Sequence, residues 1–139
     1  MLRGLTTTNF VVDDLDSAVS WYSELLGIEP YFVREAEGTT AYAEFRIGDF
    51  QHELGFVDRR FTPPGRGSTE LGSALTYWAV DDVEAAYERL LSMGATPHEG
   101  VTERGPGFVT ASVVDPFGNA LGVMYNQHYL DVVESTKGS

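Results

Sequence analysis

Cysteine is absent from this 139-residue chain. No disulfide can brace the fold, no thiolate can act as nucleophile or metal ligand, and the expected setting is the cytoplasm. Histidine is scarce: His52, His98 and His128 are the three in the chain, and no two are spaced like a metal-binding pair. Positive charge is scarce as well. Nine Lys and Arg against 21 Asp and Glu leave a net charge of -12. Such a surface repels phosphate backbones and anionic headgroups, so neither nucleic acid nor a membrane is an expected partner. No apolar run approaches the roughly 20 residues of a membrane span. The opening "MLRGLTTTNF" lacks the long apolar core of a secretory signal. "ERGPG" (residues 103–107) lacks the Lys and Ser/Thr of a phosphate loop and reads as a tight rim loop. No serine stands in a nucleophile-elbow context.

What remains is a globular composition, 42% hydrophobic and 22% charged, long enough to bury a real core. One phrase is written twice. "VVDDLDSAV" starts at Val11, and "AVDDVEAAY" starts at Ala79. Each follows a β-branched or aromatic run, "TTTNFVV" and "ALTYWAV", that reads as a strand. Asp14 and Asp82 suit a helix N-cap, because a short carboxylate accepts from the free amides of the first turn. The apolar spacing then predicts helices over about 15–26 and 83–93. Their stripes are Leu15, Ala18, Val19, Tyr22, Leu25 and Leu26, and Val83, Ala86, Tyr87, Leu90 and Leu91. Gly27 and Gly94 follow as stops. Three strand-like segments come after each helix: "PYFVREAEG", "TTAYAEFRI" and "FQHELGFVD", then "TPHEGVTE", "FVTASVVD" and "ALGVMYN".

The expectation is an α+β chain of two tandem βαβββ modules, about 4–58 and 74–127. A Pro/Gly/Ser-rich linker at 59–73 joins them, and a frayed tail runs over 128–139. One helix covers one face of a four-stranded sheet, so two modules would curl their other faces around one shared cleft. The double βαβββ pattern, "VDDLDSAVSWYSELLG" and "DPFGN" together resemble the vicinal oxygen chelate superfamily of glyoxalases, bleomycin resistance proteins and extradiol dioxygenases. That resemblance spans nearly the whole chain as a single domain and implies a homodimer.

Alternation suggests which residues line the cleft. "RIGDFQ" reads as a hairpin with Gly48 and Asp49 as a two-residue loop. Ile47 then faces Phe50, Arg46 faces Gln51, Phe45 faces His52 and Glu44 faces Glu53. Ala43, Phe45, Ile47, Phe50, His52 and Leu54 would lie under the helix. Tyr42, Glu44, Arg46, Gln51, Glu53 and Gly55 would face the cleft. Two adjacent carboxylates raise the proton affinity of one of them, so Glu53 is expected above its ordinary pKa. The alternative is an Arg–Glu ladder on a solvated sheet. In the second half the "DPFGN" loop (residues 115–119) would pair Val114 with Ala120, Ser112 with Gly122 and Thr110 with Met124. The first strands add Thr7, Asn9 and Val11, and Leu75, Tyr77 and Ala79. Phe10 and Trp78 point into the core.

The resemblance also implies one divalent metal, held by His and Glu on the first and last strands of each module. The corresponding positions here are Thr7, Glu53, Leu75 and Gly122. One carboxylate cannot hold such an ion, which takes about three protein donors. The expectation is therefore a small-molecule-binding protein without metal or other cofactor. Thr7, Asn9, Tyr42, Glu44, Arg46, Gln51, Leu75, Tyr77, Ser112 and Met124 would contact the ligand. The alternative is a lyase or dioxygenase relative in which Glu53 is the catalytic acid/base or a metal ligand.

Overall fold

The computed structural model describes residues 1–63 and 69–137. The chain divides into two compact units, Met1–Thr69 and Glu70–Ser139. The first contains β1 (Thr7–Val12), α1 (Leu15–Leu26), β2 (Phe32–Ala36), β3 (Thr39–Ile47) and β4 (His52–Asp58), then a 3-10 turn at Arg59–Phe61. The second contains β5 (Tyr77–Ala79), α2 (Val83–Ser92), β6 (Thr96–Gly105), β7 (Phe108–Val114), β8 (Ala120–Asn126) and α3 (Gln127–Lys137). Each unit is a βαβββ module with one four-stranded mixed sheet. The strand orders are β1-β4-β3-β2 and β5-β8-β7-β6. In both, the first strand runs parallel to the last and the other pairings are antiparallel.

The capping aspartates act as the repeat implies. Asp14 accepts from Ser17 N at 3.1 Å, and Asp82 accepts from Ala85 N at 3.0 Å. Gly27 ends α1 at φ 71°, where its N–H donates to Ser23 O at 2.8 Å. The left-handed region admits glycine without a Cβ clash. The apolar stripe of α1 buries Leu15, Ala18 and Tyr22. Tyr22 meets Phe56 at 4.6 Å between ring centroids and Phe10 at 6.4 Å, and Phe45 meets Phe56 edge-on at 6.0 Å. Such pairs add about 0.5–1.5 kcal/mol beyond their area burial. The second core is aliphatic: Val83, Leu90, Val113, Leu121 and Val123 are buried. Trp78 shares a face with Val123 but is only half-buried, and its Nε1 has no partner.

Several expectations need correction. Among the described residues the tail is helical: α3 occupies Gln127–Lys137, capped by Asn126 Oδ1, which accepts from Tyr129 N at 3.1 Å. His128 therefore lies in a helix. β6 continues to Gly105, so the rim loop shrinks to a turn at Pro106 and Gly107. β5 begins at Tyr77, which leaves Leu75 outside the strand. Of the linker, residues 64–68 lie outside the described residues. Among the described residues, no helix is long and apolar enough to cross a membrane.

Candidate functional site

The β3–β4 connection decides what stands beside what. It is a four-residue turn over residues 48–51, not a two-residue loop. Gly48 and Gln51 hold positive φ, 77° and 55°, and Gln51 N donates to Gly48 O at 3.2 Å. The register is thus Ile47↔His52, Arg46↔Glu53, Phe45↔Leu54 and Glu44↔Gly55. Glu44 does not oppose Glu53; Arg46 does. The slip is two residues, and an even slip preserves the faces. Ala43, Phe45, His52 and Leu54 remain on the helix side, and Tyr42, Glu44, Arg46, Glu53 and Gly55 on the other. Phe50 and Gln51 belong to neither face. Phe50 is exposed in the turn, and Gln51 Nε2 donates back to Gly48 O at 2.9 Å.

On the face away from α1, a continuous hydrogen-bonded cluster crosses the whole first sheet. Thr7 on β1 donates to Glu53 Oε1 at 2.8 Å. Arg46 Nε donates to Glu53 Oε2 at 3.3 Å, with side chains 50% and 25% exposed. The Tyr31 hydroxyl lies between the two carboxylates. It donates to Glu44 Oε2 through a short contact and stands 3.1 Å from Glu53 Oε2. Tyr42 donates to Glu44 Oε1 at 2.5 Å and stands 3.1 Å from Asn9 Oδ1. Sequence reasoning brought Thr7, Asn9, Tyr42, Glu44, Arg46 and Glu53 to this face and missed Tyr31. Tyr31 precedes β2, where alternation says nothing. It is fixed by its backbone N–H, which donates to Glu44 O at 3.0 Å. The Arg46 guanidinium lies 3.9 Å from the Tyr31 ring centroid, a cation–π contact.

The electrostatics follow from these contacts. Glu53 is held below the ordinary carboxylate range, first by the Thr7 hydroxyl, with partial burial opposing and Tyr31 and Arg46 assisting. The expected upward shift is overturned, because three donors surround Glu53 in place of a paired carboxylate. Tyr31 is pushed up to about 12, first by its bond to Glu44. Tyr42 is pushed up further, first by burial and then by Glu44. Each hydroxyl has one proton, and the nearer acceptor for both is Glu44, which is 8% exposed. Either orientation of the Asn9 amide leaves the Tyr42 proton with Glu44. The lone pairs of the Tyr31 oxygen, and the acceptor capacity of Glu53 that Thr7 and Arg46 do not take, are therefore left to meet a donor from outside.

The second sheet carries Tyr77, Ser112, Gly122, Thr110 and Met124 on its corresponding face, paired as the "DPFGN" loop implied. That loop is held by Asp115, whose Oδ1 accepts from Phe117 N and Asn119 N, both at 2.9 Å. Ser112 Oγ lies 2.8 Å from His98 Nδ1 and accepts from Glu99 N at 3.2 Å. Arg104 donates to Thr110 Oγ1 and to Glu99 Oε2, each at 3.1 Å.

The residues do not fit the superfamily's metal. A side chain at Gly122 would meet the Tyr77 ring at 2.7 Å and Thr76 O at 2.8 Å. Glu53 already accepts from Thr7 and Arg46. Among the described residues, no group of three or more His, Cys, Asp or Glu could hold a metal ion.

Comparison with known proteins agrees with the fold. Residues 4–123 match the glyoxalase/bleomycin resistance protein/dioxygenase superfamily. An uncharacterized protein of Mycobacterium bovis is 29% identical over 140 residues, covering 94% of this chain and 90% of the relative. Two solved structures share the fold. A glyoxalase-related enzyme from Fulvimarina pelagi has TM-score 0.69 at 18% identity, over 90% of this chain and 89% of its own. A bleomycin resistance determinant encoded on the transposon Tn5 has TM-score 0.61 at 23% identity, over 90% and 99%.

Proposed function

Since the chain belongs to the glyoxalase/bleomycin resistance protein/dioxygenase superfamily, we propose that it binds a small organic cation on the first sheet without a metal. The ligand is a planar aromatic amidinium or guanidinium. One observation carries this reading: Glu44, buried on the face away from α1, receives the protons of both Tyr31 and Tyr42. The surface so formed accepts hydrogen bonds at Tyr31 and Glu53, and it holds two carboxylates and one guanidinium, that of Arg46, which pairs with Glu53. A cation with several N–H donors complements it in charge and in hydrogen bonding. Phe32, paired with Glu44, lies 6.4 Å from the Tyr42 ring and offers an apolar flank for the ligand's own ring. In this reading the first-sheet residues Thr7, Asn9, Tyr42, Glu44, Arg46 and Glu53 hold the ligand, and Gln51, turned back onto Gly48 O, does not. The protein works in the cytoplasm as a homodimer, and sedimentation at high concentration checks the assembly.

The second reading, an enzyme with Glu53 as acid or base, has the proton path Thr7–Glu53–Tyr31–Glu44 in its favour. Its weakness is that Glu53 is held below the ordinary range, which makes it a poor proton acceptor and no acid at neutral pH. Titration calorimetry with benzamidinium separates the sheet's two carboxylates. Glu44→Gln should weaken binding by roughly a hundredfold, since it removes the charge under both hydroxyls. Glu53→Gln should weaken it by roughly tenfold, because Glu53 is already shared with Arg46. Equal affinity in wild type and Glu44→Gln would reject the proposal.

A further inference from the structure

Gly55 and Gly122 occupy matching places. Gly55 is paired with Asn9 on β1, and Gly122 is paired with Tyr77 on β5, each across a parallel contact between first and last strand. Each follows a leucine, in "ELGF" and "ALGV". Glu53 therefore corresponds to Ala120, and the position equivalent to Gly122 is Gly55. Neither glycine has positive φ, so left-handed freedom does not explain them. Space does. A Cβ on Gly55 would stand 2.2 Å from the Tyr42 hydroxyl oxygen, 2.3 Å from Asn9 Oδ1 and 2.8 Å from Tyr42 Cζ. On Gly122 it would stand 2.7 Å from Tyr77 Cδ1 and 2.8 Å from the backbone oxygen of Thr76. In each module a tyrosine fills the volume a side chain would take.

We infer that Gly55 is the positioning residue that sets the specificity of the first sheet: its bare backbone lets the Tyr42 ring lie across β4, with its hydroxyl between Asn9 of β1 and Glu44 of β3. Any larger residue at 55 displaces that hydroxyl from Glu44. The tyrosine proton is then no longer committed, the acceptor surface loses its centre, and Glu44 loses one of its two donors. What must move is a hydroxyl and an amide tip, not backbone, so the sheet itself survives the change. The effect on binding rests on the proposed function; the effect on Tyr42 rests on geometry alone.

The test is Gly55→Ala with two readouts. The first is the pH titration of Tyr42 by NMR with 13Cζ-labelled tyrosine, its signal assigned through Tyr42→Phe. In wild type Tyr42 stays protonated well beyond an ordinary tyrosine. In Gly55→Ala it should titrate lower than in wild type, because the hydrogen bond to Glu44 is lost while burial, the first cause of the shift, remains. The second readout is benzamidinium affinity, expected to fall at least tenfold. A folded Gly55→Ala protein with an unchanged Tyr42 titration overturns the inference. A shifted titration in a protein whose wild type does not bind benzamidinium upholds the slot and rejects the binding reading. The double variant Gly55→Ala/Tyr42→Val guards against a folding defect. With no tyrosine left to seat and only the Asn9 tip to move, alanine should add less loss of melting temperature and affinity to Tyr42→Val than it causes in the wild-type chain. An added loss as large as that of Gly55→Ala by itself overturns the inference.

Discussion

The two modules repeat a fold and differ in what they write on the sheet face away from the helix. The first carries Thr7, Asn9, Tyr42, Glu44, Arg46 and Glu53, joined by Tyr31 into one network with two carboxylates to one guanidinium. The second carries Tyr77, Thr110, Ser112 and Met124, and its nearby charges cancel in the Arg104–Glu99 pair. The cores differ in parallel: aromatic in the first, with Phe10, Tyr22, Phe45 and Phe56, and aliphatic in the second, with Leu90, Val113, Leu121 and Val123. The modules share the capping aspartates and the strand order, the parts that make a module fold, and differ in the side chains on the sheet face away from the helix.

The glycine slots give the largest expected contrast. Gly122→Ala should cost about 1–3 kcal/mol, because a backbone oxygen and a ring flank crowd the new methyl and a packed strand must shift. Gly55→Ala should lower the melting temperature less, since side-chain tips yield there. Denaturant unfolding of both variants checks the order. A larger loss for Gly55→Ala would break the distinction between a packing slot and a site slot.

A smaller effect lies in alkaline titration. Tyr31 is raised in the folded state to about 12, from the ordinary tyrosine value of about 10. Its contribution to stability is fully present below pH 10 and is lost as pH rises through about 12. Glu44→Gln removes the first cause of the shift, so the Tyr31 titration should fall toward 10. Labelled-tyrosine NMR checks this, and a Tyr31 titration indifferent to Glu44→Gln would separate the tyrosine from the network.

Much of this was legible in the residues, for reasons that can be named. The repeated Asp-capped phrases located both helices, because a cap and an apolar stripe are local signals. The face of β3 survived a wrong hairpin, because the true turn displaces the register by an even number. The partner of Glu53 did not survive it. Opposite Arg46 and Thr7, that carboxylate is lowered where a carboxylate neighbour would have raised it. Tyr31 was illegible because it stands ahead of its strand and is placed by a backbone bond to Glu44, which only tertiary structure supplies. Helix α3 was misread although its Asn126 cap stood in plain view, because its apolar residues are few and none is buried. The resemblance placed Glu53 and Gly122 in matching last-strand positions, whereas strand register, with Asn9 opposite Gly55 and Tyr77 opposite Gly122, matches Gly122 to Gly55, as the shared Leu-Gly of "ELGF" and "ALGV" already suggests.

The measurement that bears most directly on the central claim is a two-dimensional NMR titration of the intact chain with benzamidinium. The account predicts saturable shifts centred on Thr7, Asn9, Tyr31, Tyr42 and the amides around Glu44 and Glu53. Shifts centred on the second sheet, or none at millimolar benzamidinium, would contradict it.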